Sequence, residues 1–163
     1  MKNTRLFLTL LLTACSSRPA VLIPTGAENA RITLETRGNG FLLTATAGLI
    51  KLVNRKENRV VYHAAPEMIF TPSGQVASAE DNSLTLEPTL VVSSPQKSTL
   101  KVCADGTLTI REENGKQAIL GKLLLTWFPH PDKLKSDDKG FLTATPESGE
   151  PQTLSPQGAG QCL

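Results

Sequence analysis

Few side chains in this sequence are placed for acid–base or nucleophilic catalysis. The two histidines, His63 and His130, lie far apart, and neither belongs to an H-E-x-x-H metal motif. Ser73 and Ser148 each precede a glycine, but neither is the centre of a G-x-S-x-G nucleophile elbow. His130 lies between two prolines, which make its backbone stiff and extended. This placement presents an imidazole for proton transfer, but it is more typical of a rigid turn that ends a strand. We interpret His63, at the end of a strand, as a solvent-facing or hydrogen-bonded histidine.

Paired carboxylates occur at Glu80-Asp81 and at Asp137-Asp138. A calcium-binding loop needs oxygen ligands at regular spacing along the chain, and neither pair has them. We therefore interpret both pairs as solvated turns. The sequence also lacks a phosphate-cradling glycine loop. These observations predict a protein that is not an enzyme, with no catalytic residue, no bound metal ion and no small-molecule substrate.

The first residues of the chain have the three parts of a secretory signal. Lys2 and Arg5 form the charged start, Leu6–Leu12 forms the apolar run, and Leu12–Cys15 forms the processing site. The apolar run is much shorter than the roughly 20 residues of a membrane-spanning helix. We therefore predict a signal peptide over residues 1–14 that is removed from the mature protein.

The residues before Cys15 resemble the bacterial lipobox, in which a cysteine receives diacylglycerol and is acylated after cleavage. The alternative is an ordinary buried cysteine, but the charged start and the Ser16–Pro19 segment fit a core poorly. We predict a covalent lipid on Cys15 as the only attached group, with residues 15–30 as a lipidated tether. Two or more acyl chains hold a protein stably on a membrane. Ser16 resembles a signal for sorting to the outer membrane, so we expect the protein there, on the periplasmic face.

Charge and composition restrict the partners of the domain that follows. Residues 1–14 hold two of the 17 basic residues and none of the 15 acidic ones, which leaves 15 of each in the mature chain. A formally neutral domain has no electrostatic footprint for nucleic acid. The chain has only five Phe, one Tyr and one Trp. This composition predicts a core of Leu, Val and Ile and argues against an aromatic sugar- or peptide-binding cleft.

Cys103 and Cys162 remain after lipidation of Cys15. Disulfides persist in an oxidising periplasm, so these two cysteines are candidates for one bond. The alternative is a buried thiol at Cys103 and a free or intermolecular thiol at Cys162.

The pattern along residues 31–163 is short and alternating rather than helical, and polar turns at Asn54–Asn58, Pro72–Gly74, Ala104–Gly106 and Glu112–Gly115 interrupt it. We predict an all-β, mainly antiparallel domain. The C-terminal part from Thr145, rich in Pro and Gly, should be extended or loosely attached unless Cys162 pins it. The predicted strands are Ile32–Glu35, Ile50–Val53, Arg59–Tyr62, Ser83–Leu86, Leu90–Val92, Thr99–Val102, Thr107–Ile110 and Leu123–Phe128.

Six segments of the domain follow one another in the order and approximate spacing of the flagellar rod and hook protein family. These segments begin at Gly38, Pro72, Leu86, Ala104, Gly121 and Ser148. The chain resembles this family, most closely its distal rod members, over roughly residues 34–161. The residues that carry the resemblance are Gly38, Gly40, Phe41, Gly74, Asp105, Gly106, Phe128, Pro131, Gly149 and Pro151.

The resemblance implies the outer, D1-like β domain of these proteins. The two terminal helices that form the inner tube of the axial polymer have no counterpart in residues 16–30 or before Leu163. The sequence also departs from the family at Ala64–Pro66, where an Arg-Asp-Gly turn is usual, at His130, where Asn is usual, and at Cys103, where a small polar residue is usual. We expect an outer β domain whose polymerising parts are replaced by a lipid.

In the axial structure this domain packs laterally against its neighbours, so the resemblance implies protein binding. The expected partners are the flagellar rod, the hook or the surrounding ring. Trp127 and Phe128 are adjacent on a predicted strand and must point to opposite faces. The exposed ring of the two, with His130 nearby, is a candidate partner contact, although packing of that ring against the Pro-rich tail explains it equally well. The alternatives are a flagellum-independent envelope lipoprotein, such as a secretion-assembly factor, and a diverged paralogue without a partner.

Overall fold

The computed structural model describes residues 27–93, 98–157 and 162. The predicted signal peptide, Cys15 and Ser16 lie outside these residues. Every pair of neighbouring strands in these residues is antiparallel, so the predicted all-β, mainly antiparallel class is confirmed. The strands are β1 (Ile32–Arg37), β2 (Gly40–Ala45), β3 (Leu49–Asn54), β4 (Arg59–His63), β5 (Glu67–Phe70), β6 (Val76–Ser78), β7 (Thr85–Leu86), β8 (Ser98–Val102), β9 (Thr107–Glu112), β10 (Gln117–Lys122), β11 (Leu125–Trp127), β12 (Lys135–Ser136), β13 (Leu142–Thr143) and β14 (Gln152–Leu154).

The larger sheet contains eleven of these strands and is organised around β3. Its main order is β1-β2-β5-β6-β7-β3-β4-β13-β12, and β11 joins it through β3 and carries β14 on its other side. Strand β4 pairs along one edge of β3, from Ile50 to Asn54. On the other edge, Leu52 and Val53 pair with β7, whereas the first two residues of β3 pair with β11. Strand β11 therefore lies beside β3 although the two are distant in sequence.

The smaller sheet has the order β10-β9-β8 and is built from two consecutive hairpins. The pairing of β10 with β9 is irregular between Ile119 and Gly121, which indicates a β-bulge in the outer strand. On β9, Leu108 is completely buried and belongs to the same hydrophobic cluster as Leu52 and Leu86 of the larger sheet. Because the two sheets share one core, they form one domain.

The core is mostly aliphatic, as the composition predicts. Leucines form half of the buried cluster, and Ile, Val, Ala and Met supply most of the rest. Phe41 and Phe141 also lie in it, each with about 1% of its surface exposed. The few aromatic residues of the chain are thus used partly for packing in the core.

Several expectations about single strands are wrong. Leu90–Val92 is not a strand: Val91 forms one isolated bridge to Gln75, while Leu90 and Val92 are buried. The predicted Leu123–Phe128 strand is limited to β11, because Leu123 packs into the core and its N–H donates to the carbonyl of Gly106 at 2.8 Å. Strand β10 was not predicted because it is an outer strand with a bulge, so its apolar residues do not alternate with polar ones.

The C-terminal segment is attached to the domain at several points. Strand β14 pairs with β11 from Leu154 to Gln152. The backbone N–H of Gln157 donates to the carbonyl of Ala30 at 2.7 Å, and Cys162 forms a disulfide with Cys103. The segment therefore contacts both sheets and also Ala30, the last residue of the predicted tether.

Candidate binding surface

The residues that carry the family resemblance lie at turns and strand ends. Gly38 and Gly40 flank the β1–β2 turn, and Phe41 is buried in β2. Gly74 ends the turn before Gln75, and Asp105 and Gly106 form the β8–β9 turn. Phe128 and Pro131 follow β11, and Gly149 and Pro151 precede β14. Within the described residues these positions shape the connections between strands, and they do not converge on one pocket.

Two of the glycines are required because their segments approach other family-like segments closely. Gly106 has φ +86°, and a Cβ there would collide with the carbonyl oxygen of Leu123. Gly149 has φ +79°, and a Cβ there would lie 3.0 Å from Cγ of Pro129. L-residues with a side chain rarely adopt such φ values. These contacts join the β8–β9 turn to the segment before β11, and the segment before β14 to the one after β11.

A groove with basic side chains lies along the face of β3 and β11. Lys51 of β3, Arg55 of the β3–β4 turn and Lys122 of β10 line it, and it encloses about 380 Å³. Lys51 forms an ion pair with Glu87, which also lines the groove, and Lys122 Nζ lies 3.7 Å from Asp105 Oδ2. Arg55 is exposed and forms no ion pair with any residue in the described ranges.

An apolar pit of about 200 Å³ adjoins this groove. Its walls include Trp127, Phe128 and Pro131, together with Leu134 and Leu142. Thr126 lines both cavities and so marks the place where they meet.

The two rings after Thr126 have different environments, as their alternation on a strand requires. Phe128 has about 1% of its surface exposed and packs edge-to-face on Tyr62, with ring centroids 4.9 Å apart. Trp127 is half-buried and lines the pit. Of the two, Trp127 is therefore the more exposed to solvent.

The histidines occupy separate sites. His63 Nδ1 accepts a hydrogen bond from the backbone N–H of Ala65 at 3.0 Å, and its ring packs against Phe141. His130 is exposed and precedes a 3₁₀ turn, with φ −127° and ψ 75°. Its ψ lies below the roughly 120 to 160° that a following proline favours, so the backbone at His130 is not the fully extended one that the sequence predicts. In the described ranges, no group of three or more His, Cys, Asp and Glu side chains is arranged to hold a metal ion.

Sequence reasoning treated the two carboxylate pairs as separate turns, but the structure joins them through one arginine. Arg59 Nη1 lies 3.2 Å from Asp81 Oδ2, and Arg59 Nη2 lies 3.5 Å from Asp137 Oδ2. Lys139 Nζ also donates to the carbonyl of Glu80 at 3.1 Å. These ion pairs join the start of β4 to two turns that are distant in sequence. The three segments come together only in the folded domain.

Two aspartates stabilise turns as ionised groups. The backbone N–H and hydroxyl of Thr107 donate to Asp105 at 3.0 and 2.9 Å and hold the pKa of this carboxyl below its usual value, with Lys122 acting in the same direction. The Ser83 hydroxyl, which donates at 2.6 Å, lowers the pKa of Asp81 in the same way. Hydrogen bonds to a carboxylate favour its charged form.

The basic groove was not anticipated from sequence. Lys122 is about seventy residues from Lys51 and Arg55 in the chain, so no local pattern in this neutral domain brings the three together. Of the pit residues, Trp127 was identified, because adjacent rings on a strand point to opposite faces.

Comparison with known proteins adds no relative. No protein-family model matches the chain, and no curated protein matches it.

None of the helical turns in the described ranges has the length and apolar composition needed to cross a membrane.

Proposed function

We propose that this protein is an outer-membrane lipoprotein whose β domain, similar to the outer domain of flagellar rod and hook proteins, binds protein partners at the flagellar base. In this proposal Cys15 carries the lipid and Ser16 directs the protein to the periplasmic face of the outer membrane. The domain acts without catalysis, as a structural or accessory component that contacts the rod, the hook or the ring.

The observation that carries the proposal is the mutual contact of the family-like segments. Gly106 packs against Leu123, and Gly149 packs against Pro129. Each pair joins two segments on which the resemblance rests. Turns such as Asp-Gly are individually common, and these contacts bring three of the six family-like segments together within this domain.

The disulfide supports the location. Cys103 and Cys162 are joined, and disulfides form and persist mainly in oxidising compartments. This evidence comes from the folded domain and does not depend on the first fifteen residues. It agrees with export to the periplasm.

The surface supports protein binding. Ile119 is 74% exposed and Val91 is 59% exposed, both large aliphatic side chains. The apolar pit beside Trp127 adds a concave feature suited to one partner side chain. A flagellum-independent partner would use the same features, so the experiment must distinguish the two locations.

The test is quantitative mass spectrometry of detergent-extracted hook–basal bodies from native cells, in parallel with the outer-membrane fraction. The wild-type protein should be recovered with basal bodies at a level near that of ring components, and Cys15→Ala should abolish this recovery. Ser17→Ala, which leaves the cysteine intact, serves as the matched control and should behave like wild type. Recovery in the outer membrane but not in basal bodies would refute the flagellar role and favour the flagellum-independent alternative.

A further inference from the structure

The basic groove has an uncompensated positive charge in a domain that is formally neutral. Three cations and one carboxylate line it. Lys51 and Lys122 already have acidic partners, whereas Arg55 has none among the described residues. A carboxylate that entered the groove would therefore pair with Arg55 without breaking an existing ion pair.

The adjoining pit has the opposite character. Trp127, Phe128 and Leu142 contribute to its wall, and its volume of about 200 Å³ is below the roughly 300 to 1,000 Å³ of small-molecule sites. A cavity of this size suits one apolar side chain. Because Thr126 belongs to both cavities, a single short segment can reach the groove and the pit together.

We propose that the two cavities bind one extended segment of a protein partner, with an acidic side chain beside Arg55 and an apolar side chain further along the segment in the pit that Trp127 lines. This inference rests on the proposed function, since it assigns the chemistry of the protein partner. A carboxylate-bearing peptide fits better than nucleic acid, because one unpaired arginine does not form a track for successive phosphates.

The chain provides its own reporter. Trp127 is its single tryptophan, so emission excited at a wavelength that tyrosine does not absorb reports on a residue that lines the pit. The probes are short tryptophan-free peptides in which one glutamate and one leucine stand at several spacings and in both orders. Matched probes replace the glutamate with glutamine or the leucine with alanine. The purified full-length protein in detergent micelles is titrated with each probe.

At least one glutamate–leucine probe should change the Trp127 emission saturably. Its glutamine version should bind more weakly, and its alanine version about tenfold more weakly, because less apolar surface is buried. Arg55→Gln should weaken binding about two- to fivefold, as expected for one exposed ion pair, and higher salt should reduce this difference. Lys56→Gln removes the same charge from the next residue of the turn, which does not line the groove, and should leave binding unchanged.

The inference is overturned if no probe changes the emission, if glutamate and glutamine probes bind equally, or if Arg55→Gln and Lys56→Gln have the same effect. These failures are separate from failure of the flagellar role. A protein that is recovered with basal bodies but binds no probe retains the proposed function and loses this binding site. A protein that binds the acidic probe through Arg55 retains the site wherever it is located in the envelope.

Discussion

The disulfide between Cys103 and Cys162 should contribute a large part of the stability of the domain. The two cysteines are 59 residues apart, and the closed loop contains the six strands from β9 to β14. Closing a loop of this length in the unfolded chain lowers its conformational entropy and corresponds to about 4 kcal/mol at 25 °C. The substitution that tests this is Cys162→Ser, because Cys162 is partly exposed whereas Cys103 is 2% exposed.

The assay is equilibrium unfolding in urea, followed by far-ultraviolet circular dichroism. With an m value of about 2 kcal/mol per molar urea, the midpoint of Cys162→Ser should fall by about 2 M. Dithiothreitol should lower the wild-type midpoint by a similar amount and leave the variant unchanged. Loop closure acts on the unfolded chain, so the slope of the transition can change slightly as well.

Equal midpoints for oxidised wild type and Cys162→Ser would refute this argument. A further fall of the variant in dithiothreitol would also contradict it, since the variant has no Cys103–Cys162 bond to reduce. Mass spectrometry of the non-reduced, protease-digested protein checks the bond itself.

Two further predictions concern the β8–β9 turn. In the same urea titration, Gly106→Ala should lower the free energy of unfolding by more than Gly115→Ala. Both glycines have positive φ, which costs an L-residue about 1 kcal/mol, but only a Cβ at Gly106 also meets backbone, since nothing lies within 4 Å at Gly115. Equal losses would contradict the close approach to Leu123. Asp105 has a lowered pKa in the folded state, so its ionised form contributes stability above the usual aspartate pKa near 3.8, and this contribution is lost as the pH falls through the lower folded value. Asp105→Asn should therefore destabilise the domain at pH 7 and make its stability fall less steeply as the pH decreases. A loss of stability with decreasing pH as steep as that of the wild type would refute the role of the Thr107 hydrogen bonds.

Local chemistry in the sequence was sufficient for the class of fold and for its principal turns. The polar residues 54–58 connect β3 and β4, and Asp105-Gly106 connects β8 and β9, as their composition predicts. The separation of Trp127 from Phe128 also follows from alternation along a strand. These features depend on residues that are close together in the chain.

The candidate site depends on contacts that no local pattern encodes. Strand β11 lies beside β3, Lys122 comes near Lys51 and Arg55, and Arg59 joins two acidic turns, all across long sequence separations. Backbone hydrogen bonds between strands are nearly independent of side-chain identity. The sequence of β3 alone therefore does not determine which strands pair with it.

By itself, then, the sequence determined the elements that short-range physics controls: alternating strands, glycine-containing turns and an aliphatic core. The tertiary structure decided that β11 would bring the basic groove and the Trp127 pit together, and that Cys103 would meet Cys162. The physical reason is that the burial of one shared core selects among many possible strand pairings. That selection acts on the whole chain at once, and the resulting distances exist only after the chain has folded.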